Sequence, residues 1–149
     1  MIRSPLLVVA AAALLLGLPT SAGANDATLR TTLNSWSKKV GVDAHSVALA
    51  AQRRHPRRMT YSAKRFYRDA LHARAAVAAQ KPSTAKGARA RRLALTAFAD
   101  YALAGSKWAA SGQARLAHRR AASIADANAG ARYARTGDTL LVAAGKLLR

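Results

Sequence analysis

Three groups of residues in this 149-residue chain have types and spacings that could do chemistry. The first is Asp69-Ala-Leu-His72. At i and i+3 on a helix the two side chains share a face. An acid-x-x-His pair of this kind holds metal in di-iron bundles, but there the acid is Glu, the pair occurs twice, and further Glu residues complete the set. This chain has no Glu and no second pair, since Ala129 stands three residues after Asp126. The simpler account is an intrahelical network in which Asp69 reaches Arg65 at i−4 and His72 at i+3. A metal or enzymatic site around Asp69 and His72 is therefore the last of three readings. No residue is assigned as catalytic, metal-ligating or cofactor-binding.

The second group is Asp100 and Asp126, both among alanines in helical sequence, where Asp is not a good former. Paired catalytic acids would need a nucleophile or a phosphate-cradling loop beside them, and neither accompanies these two. A basic side chain across a helix seam, fixing register, is the alternative partner. His45, His55 and His118 are scattered and fit no nucleophile spacing.

The third group is basic. The run from Arg53 to Asp69 (RRHPRRMTYSAKRFYRD) is the densest positive stretch. Arg presents a planar fork that matches phosphate and carboxylate, where Lys offers a point charge. No helix-turn-helix, zinc finger or aromatic-stacking motif accompanies it, and Tyr67 falls on an apolar stripe.

What positions these groups follows from the rest of the chain. Met1-Ile2-Arg3, an apolar run from Leu6 to Leu18, and Ala22-Gly23-Ala24 have the three parts of a secretory signal peptide over residues 1–24. The apolar run would cover only about 20 Å as helix, short of the ~30 Å hydrocarbon core, which argues against a membrane anchor. Export by the general secretory route is expected, to the periplasm, cell wall or medium. No transmembrane span is expected in residues 25–149.

Without that segment the chain carries 24 Lys and Arg against six Asp, a formal charge of +18. Such an imbalance lowers stability by self-repulsion and attracts polyanions. It also exceeds what solubility requires. With no cysteine, neither disulfides nor thiolate metal sites are available.

Residues 25–149 read as one all-α domain, an antiparallel bundle of four to five helices with Ala-rich, close-packed seams. Ala, Arg and Leu are good helix formers and β-branched residues never alternate over a strand length. Asp26 is the expected cap of a first helix carrying Leu29, Leu33, Trp36 and Val40, with Gly41 as its stop. Asp43 would cap a short second helix ending near His55, because the residue before Pro56 is pushed out of the α region. The third helix runs from about Thr60 to Gln80, and Ser83 or Thr84 caps the fourth, which ends at Ser111. The fifth starts near Gln113, either breaking at Gly137 or running through it. Leu33, Trp36, Phe66, Leu93, Phe98, Trp108, Ile124 and Leu141 are the expected anchors. No internal repeat is visible.

Short connections make neighbouring helices antiparallel. The start of the third helix and the start of the fifth then share one end, bringing Arg53, Arg54, Arg57, Arg58, Arg65 and Arg68 near Arg115, His118, Arg119 and Arg120. A smaller basic group, Lys81, Lys86, Arg89, Arg91 and Arg92, falls at the other end. The favoured expectation is a non-enzymatic exported bundle. Its anion-binding residues would be Arg53, Arg54, Arg57, Arg58, Arg119 and Arg120, acting on phospholipid head groups, a wall polymer or extracellular nucleic acid. The alternative is a protein-interaction module for an acidic partner.

Overall fold

Helix-forming residues fill the chain and little interrupts them, so the helices are long. In a computed structural model, which describes the backbone of residues 21–149 and the side chains of residues 25–149, they are four. These are α1 (Ser21–Gln52), α2 (Pro56–Ala78), α3 (Ala85–Leu116) and α4 (Arg120–Leu147). No strand occurs among the described residues, and none of the helices is long and apolar enough to cross a membrane. The segment read as a signal peptide, residues 1–24, lies outside the described side chains, and residues 1–20 outside the described backbone as well.

Each break has a local cause. His55 sits at φ −100°, ψ 83°, held out of the α region by Pro56, which takes the first turn of α2. Lys81-Pro82-Ser83 separates α2 from α3, and the Thr84 hydroxyl caps α3 by accepting from the Gly87 N–H at 2.9 Å. The α3–α4 turn has neither proline nor glycine.

Several expected boundaries do not occur. The first two expected helices are one, because nothing forces a stop at Gly41: it stays in the helix, exposed, with open space where a side chain would go. Asp26 lies inside α1 rather than at its start. Its carboxylate instead accepts from the Ser83 N–H at 3.1 Å and from the Thr84 hydroxyl, tying α1 to the N-terminus of α3. α2 starts at Pro56, α3 runs through Gly112 to Leu116, and α4 runs unbroken through Gly137.

α3 is the central helix, with α2 and α4 packed antiparallel along it. Small residues set both seams. On the α4 side the Ser111 hydroxyl donates to the Ser123 carbonyl at 2.8 Å. A Cβ on Gly130 would stand 3.1 Å from the Ala104 carbonyl, and one on Gly137 would stand 3.0 Å from the Ala97 carbonyl. Fully buried Ala90 and Ala144 fall at the next step. These pairs advance by seven residues in opposite directions, the antiparallel form of a heptad seam. The α2 side repeats the pattern. A Cβ on Gly112 would meet the Pro56 carbonyl at 3.0 Å, and one on Gly105 the Ala63 carbonyl at 3.0 Å. Arg91 donates from Nε to the Val77 carbonyl at 3.2 Å and from Nη2 to the Ala78 carbonyl at 2.5 Å, closing the C-terminus of α2.

Between the seams stands a spine of rings. Phe66 of α2 lies 5.8 Å from Tyr101 and 5.3 Å from Trp108, and Phe98 lies 5.9 Å from Tyr101, mostly edge to face. Gly130 lies against Trp108 and Gly137 against Tyr101, so the glycines of α4 make room for the rings of α3. Of the expected anchors Leu33, Phe66 and Phe98 are buried, and Trp36, Leu93, Trp108 and Leu141 are partly so. Ile124 is 51% exposed and anchors nothing. α4 buries only Ser123, Gly130, Gly137 and Ala144, because its seam is made by backbone approach rather than by large side chains.

The last helix pair differs. α1 packs on α2, but α1 and α4 form no comparable seam, and an open groove runs between them.

Two glycine substitutions should therefore move in opposite directions. Gly41→Ala gains helix propensity at an open site and should raise unfolding stability by about 0.5–1 kcal/mol. Gly105→Ala gains the same propensity but places its Cβ 2.9 Å from the Tyr67 nitrogen and 3.0 Å from the Ala63 carbonyl. Overpacking against backbone should outweigh that gain, for a net loss of ~1 kcal/mol or more. Urea unfolding midpoints of the two variants check both signs.

Candidate anion-binding site

The α1–α2 and α3–α4 turns lie at the same end of the bundle and are built alike. In the first, the His55 N–H donates to the Ala50 carbonyl at 2.9 Å and the Arg54 N–H to Ala51 at 3.0 Å. In the second, the Arg119 N–H donates to Ala114 at 2.8 Å and the His118 N–H to Arg115 at 3.1 Å. Both are Schellman motifs, whose pivotal residue is left-handed and usually glycine. Here the pivots are Arg54 at φ 55° and His118 at φ 56°, cationic or titratable residues in a conformation that disfavours any side chain.

Both pivots line one cleft. Arg54 and Gln52 close it from the α1 side, and Arg115, His118, Arg120, Ser123 and Ile124 close it from the α3–α4 side, around a volume of about 670 Å³. A second, smaller cleft of about 280 Å³ lies between α1 and α2, lined by Arg53, His55, Arg58, Tyr61 and Arg65 among others. Arg57 and Arg58 border a third hollow with Pro56 and Leu116. Arg119 is the exposed residue at the start of α4 and lines none of the three. The six arginines singled out in the sequence thus share one end of the molecule but not one pocket. Arg54 and Arg120 come together, Arg53 and Arg58 come together on the other side of α1, Arg57 meets Arg58 at the third hollow, and Arg119 stands apart. Arg115 and His118 belong to the larger cleft on the same footing as Arg54. Their signal in sequence was position: each closes the last turn of α3 or follows it.

The charge at this end is uncompensated. No acidic residue occurs between residues 44 and 68 or between residues 101 and 125. The acids go elsewhere. Asp26 serves the opposite end, Asp138 accepts from the Tyr101 hydroxyl at 2.5 Å, and Lys107 pairs with Asp126 across the α3–α4 seam at 3.1 Å. Asp100 is half-buried and forms no ion pair with a described residue. None of Arg53, Arg54, Arg57, Arg58, Arg115, Arg119 and Arg120 has an acidic partner among the described residues.

Helix polarity adds to the field. α2 and α4 begin at this end, neither has a side-chain cap, and neither has an acid in its first turn. Both instead begin with arginine close by, against the preference of a helix N-terminus for negative charge. The N-terminus of α3, at the other end, has its threonine cap and a carboxylate.

The Asp69 pair expected from the sequence is arranged differently. Arg65 turns away from Asp69 and binds Asp43 instead, with Nε and Nη2 donating to Oδ1 at 2.6 and 2.5 Å. Asp69 pairs with Lys39 of α1 at 3.2 Å, and Lys39 also stands 4.8 Å from the Trp36 ring centre. His72 packs edge-on against Trp36 with ring centres 6.4 Å apart. Asp43 is 3% exposed, and its Oδ2 is the one buried side-chain polar atom without a conventional donor among the described residues. Burial raises the Asp43 pKa and a hydrogen bond shared with Asp69 raises it further, against the opposing pull of Arg65. Burial also acts to raise Asp69, but the hydrogen bonds from Asp43 and Lys39 outweigh it and hold Asp69 low. Burial and the Asp138 bond push the Tyr101 phenol well above its ordinary range, so it stays a donor. No cluster of three or more His, Cys, Asp or Glu side chains that could hold a metal occurs among the described residues. No known protein family, curated protein or solved structure matches the chain.

Two outcomes follow from this geometry. Replacing the pivots by glycine, in Arg54→Gly and His118→Gly, should raise stability by about 1 kcal/mol each, since glycine takes the left-handed region freely. Thermal or urea unfolding reads this directly. A carboxyl with a raised folded pKa stabilises the fold while protonated, and that contribution fades as pH rises. The stability of the wild type relative to Asp43→Asn should therefore fall as pH climbs from about 4, the ordinary Asp value, toward neutrality. Asp69, held low, contributes with the opposite sign and below that window. Paired urea titrations at a series of pH values measure the difference.

Proposed function

We propose that this chain is an exported, non-enzymatic helical bundle whose arginine-rich end holds an anionic component of the cell envelope. The observation that carries the reading is the larger cleft, where Arg54, Arg115, His118 and Arg120 converge with no acid to neutralise them. Three further features agree. The exposed ends of α2 and α4 direct uncapped backbone N–H groups toward the same region. The left-handed pivots set cationic side chains where glycine would be more stable, and strain of that sort clusters at functional sites. The signal-like segment at residues 1–24 gives access to phospholipid head groups, phosphate-bearing wall polymers and extracellular nucleic acid rather than to the nucleoid.

The roles of the arginines then differ. Arg54, Arg115 and Arg120 can engage one phosphate or carboxylate in concert, the forked geometry allowing two bonds from each guanidinium. Arg53 and Arg58, beside the exposed Tyr61, form a second contact on the α2 side. Arg57 and Arg119 add to the long-range field and to the rate of encounter.

The purified protein should be retained by anionic vesicles, wall polymer or DNA at low salt and released as salt rises. The double variant Arg54→Ala/Arg120→Ala should weaken retention and flatten the salt dependence by about two counterions' worth of slope. Absence of retention on every polyanion at 20–50 mM salt (roughly the range where such contacts are strongest) contradicts the reading. Saturable capture of one acidic protein, with indifference to generic polyanions, would favour the interaction-module alternative.

A further inference from the structure

The smaller basic cleft has a composition that the larger one lacks. Its walls are one face of each of two helices. Leu49 and Arg53 stand at i and i+4 on α1, and Arg58, Tyr61 and Arg65 at i, i+3 and i+7 on α2. The cleft continues around the α1–α2 turn into the hollow of Pro56, Arg57 and Leu116, because His55 and Arg58 line both. The two make one furrow, with about 280 Å³ on one side of Arg58 and about 370 Å³ on the other. Each half shows solvent an apolar surface: Tyr61 is 65% exposed in the first and Leu116 43% in the second. Arg65 is committed to Asp43, whereas Arg53, Arg57 and Arg58 have no acidic partner among the described residues.

This order of groups fits one class of anion. A guanidinium shared by two hollows suits a phosphate shared by two neighbours, as in a phosphodiester chain. Tyr61 does not serve the core, since the ring contacts there are made by Phe66, Phe98, Tyr101 and Trp108. Open to solvent between unpaired arginines, its ring is a stacking face. A nucleobase has a planar face to lay on it, and the phosphates of polyols and lipid head groups have none. The larger cleft has no Phe, Tyr or Trp in its lining, so this feature belongs to the smaller one alone. A duplex keeps the faces of its bases inside the stack, which leaves a single strand as the form that can use the ring.

Resting on the reading of the basic end as an anion site, we propose that the furrow across the α1–α2 turn binds single-stranded nucleic acid without reading its sequence. One phosphate lies at Arg58 with Arg57 beside it. The base on one side of that phosphate stacks on Tyr61, and the nucleoside on the other side enters the hollow of Pro56 and Leu116. Arg53 holds the next phosphate from the α1 wall. Sequence tolerance follows because every base has a π-face, and stacking rather than a set of edge-reading hydrogen bonds supplies the base contact.

The test measures fluorescence anisotropy of a labelled oligothymidylate about twelve nucleotides long, within the span of single-strand sites. An abasic oligomer with the same phosphates and a duplex of the same length serve as comparisons. At ~0.1 M salt, where distant charges are screened, the oligothymidylate should bind about ten-fold more tightly than the abasic oligomer, and more tightly than the duplex. Tyr61→Ala should remove that ten-fold advantage, and Tyr61→Phe should keep it. Binding of the abasic oligomer should be the same in all three proteins, which also shows the variants to be folded. Arg58→Ala should weaken both oligomers and lower the salt slope by about 0.7. Equal affinity for the oligothymidylate and its abasic counterpart overturns the proposal, as does tighter binding of the duplex. A loss on anionic vesicles as large as the loss on the oligothymidylate in Tyr61→Ala marks the ring as a lipid contact and overturns it too. In each of those cases the basic end still stands as an anion site. If oligomers, vesicles and wall polymer all fail to bind at low salt, both readings fall together.

Discussion

Close approach of helix backbones along α3 is the constraint on which the rest of this structure depends. Gly105 faces the Ala63 carbonyl of α2, and Gly130 and Gly137 of α4 face the Ala104 and Ala97 carbonyls of α3. Helices that meet on such small residues lie at the near end of the usual interaxial range. The chain has few large apolar side chains, so its stability depends on dispersion contacts made dense by that proximity. Proximity in turn fixes where the rings go. Tyr101 and Trp108 lie against the glycines of α4, and Phe66 completes the cluster from α2. The same choice explains why α4 tolerates glycines at a helix-interior cost near 1 kcal/mol each.

A bundle sealed in this way at two seams and on its α1–α2 face leaves its remaining side open. α1 is held by Leu29, Leu33, Val40 and Val47, by the Asp43–Arg65 and Lys39–Asp69 pairs, and by Asp26 reaching to α3. These ties all run to α2 or to the start of α3. Nothing comparable joins α1 to α4 among the described residues, and Trp108, the partly buried member of the aromatic spine, borders that side. The groove is therefore a consequence of where the polar ties and small residues fall.

The distribution of the six aspartates matters as much as the number of arginines. Four of them make specific bonds within or between helices: Asp26, Asp43, Asp126 and Asp138. Asp69 joins Asp43 and Lys39. All lie away from the end that carries the two Schellman turns. Concentrating the acids inside the frame holds the helices in register and at the same time leaves one end with an unscreened positive field. Arg65 shows how the division works: it belongs by sequence to the densest basic run, yet its guanidinium is committed to buried Asp43 and takes no free part in that field.

The sequence by itself determined that the chain is helical, where prolines end helices, and that Arg53–Arg58 and Arg115–Arg120 meet at one end. Propensity, the restriction before Pro56 and short antiparallel connections are local properties that composition and spacing carry directly. The tertiary structure alone decided which glycines stop helices and which lie inside them. Gly41, Gly112 and Gly137 look alike in sequence, but a helix continues through a glycine when its neighbours supply the packing, or when nothing opposes it. It also decided that Arg54 and Arg120 share a cleft while Arg57 and Arg119 do not, since the direction of a side chain at a turn depends on the left-handed pivots. The seven-residue rhythm of the seams was likewise hidden, because Ser123, Gly130, Gly137 and Ala144 have only smallness in common. Smallness becomes a signal only once a second helix is placed against it.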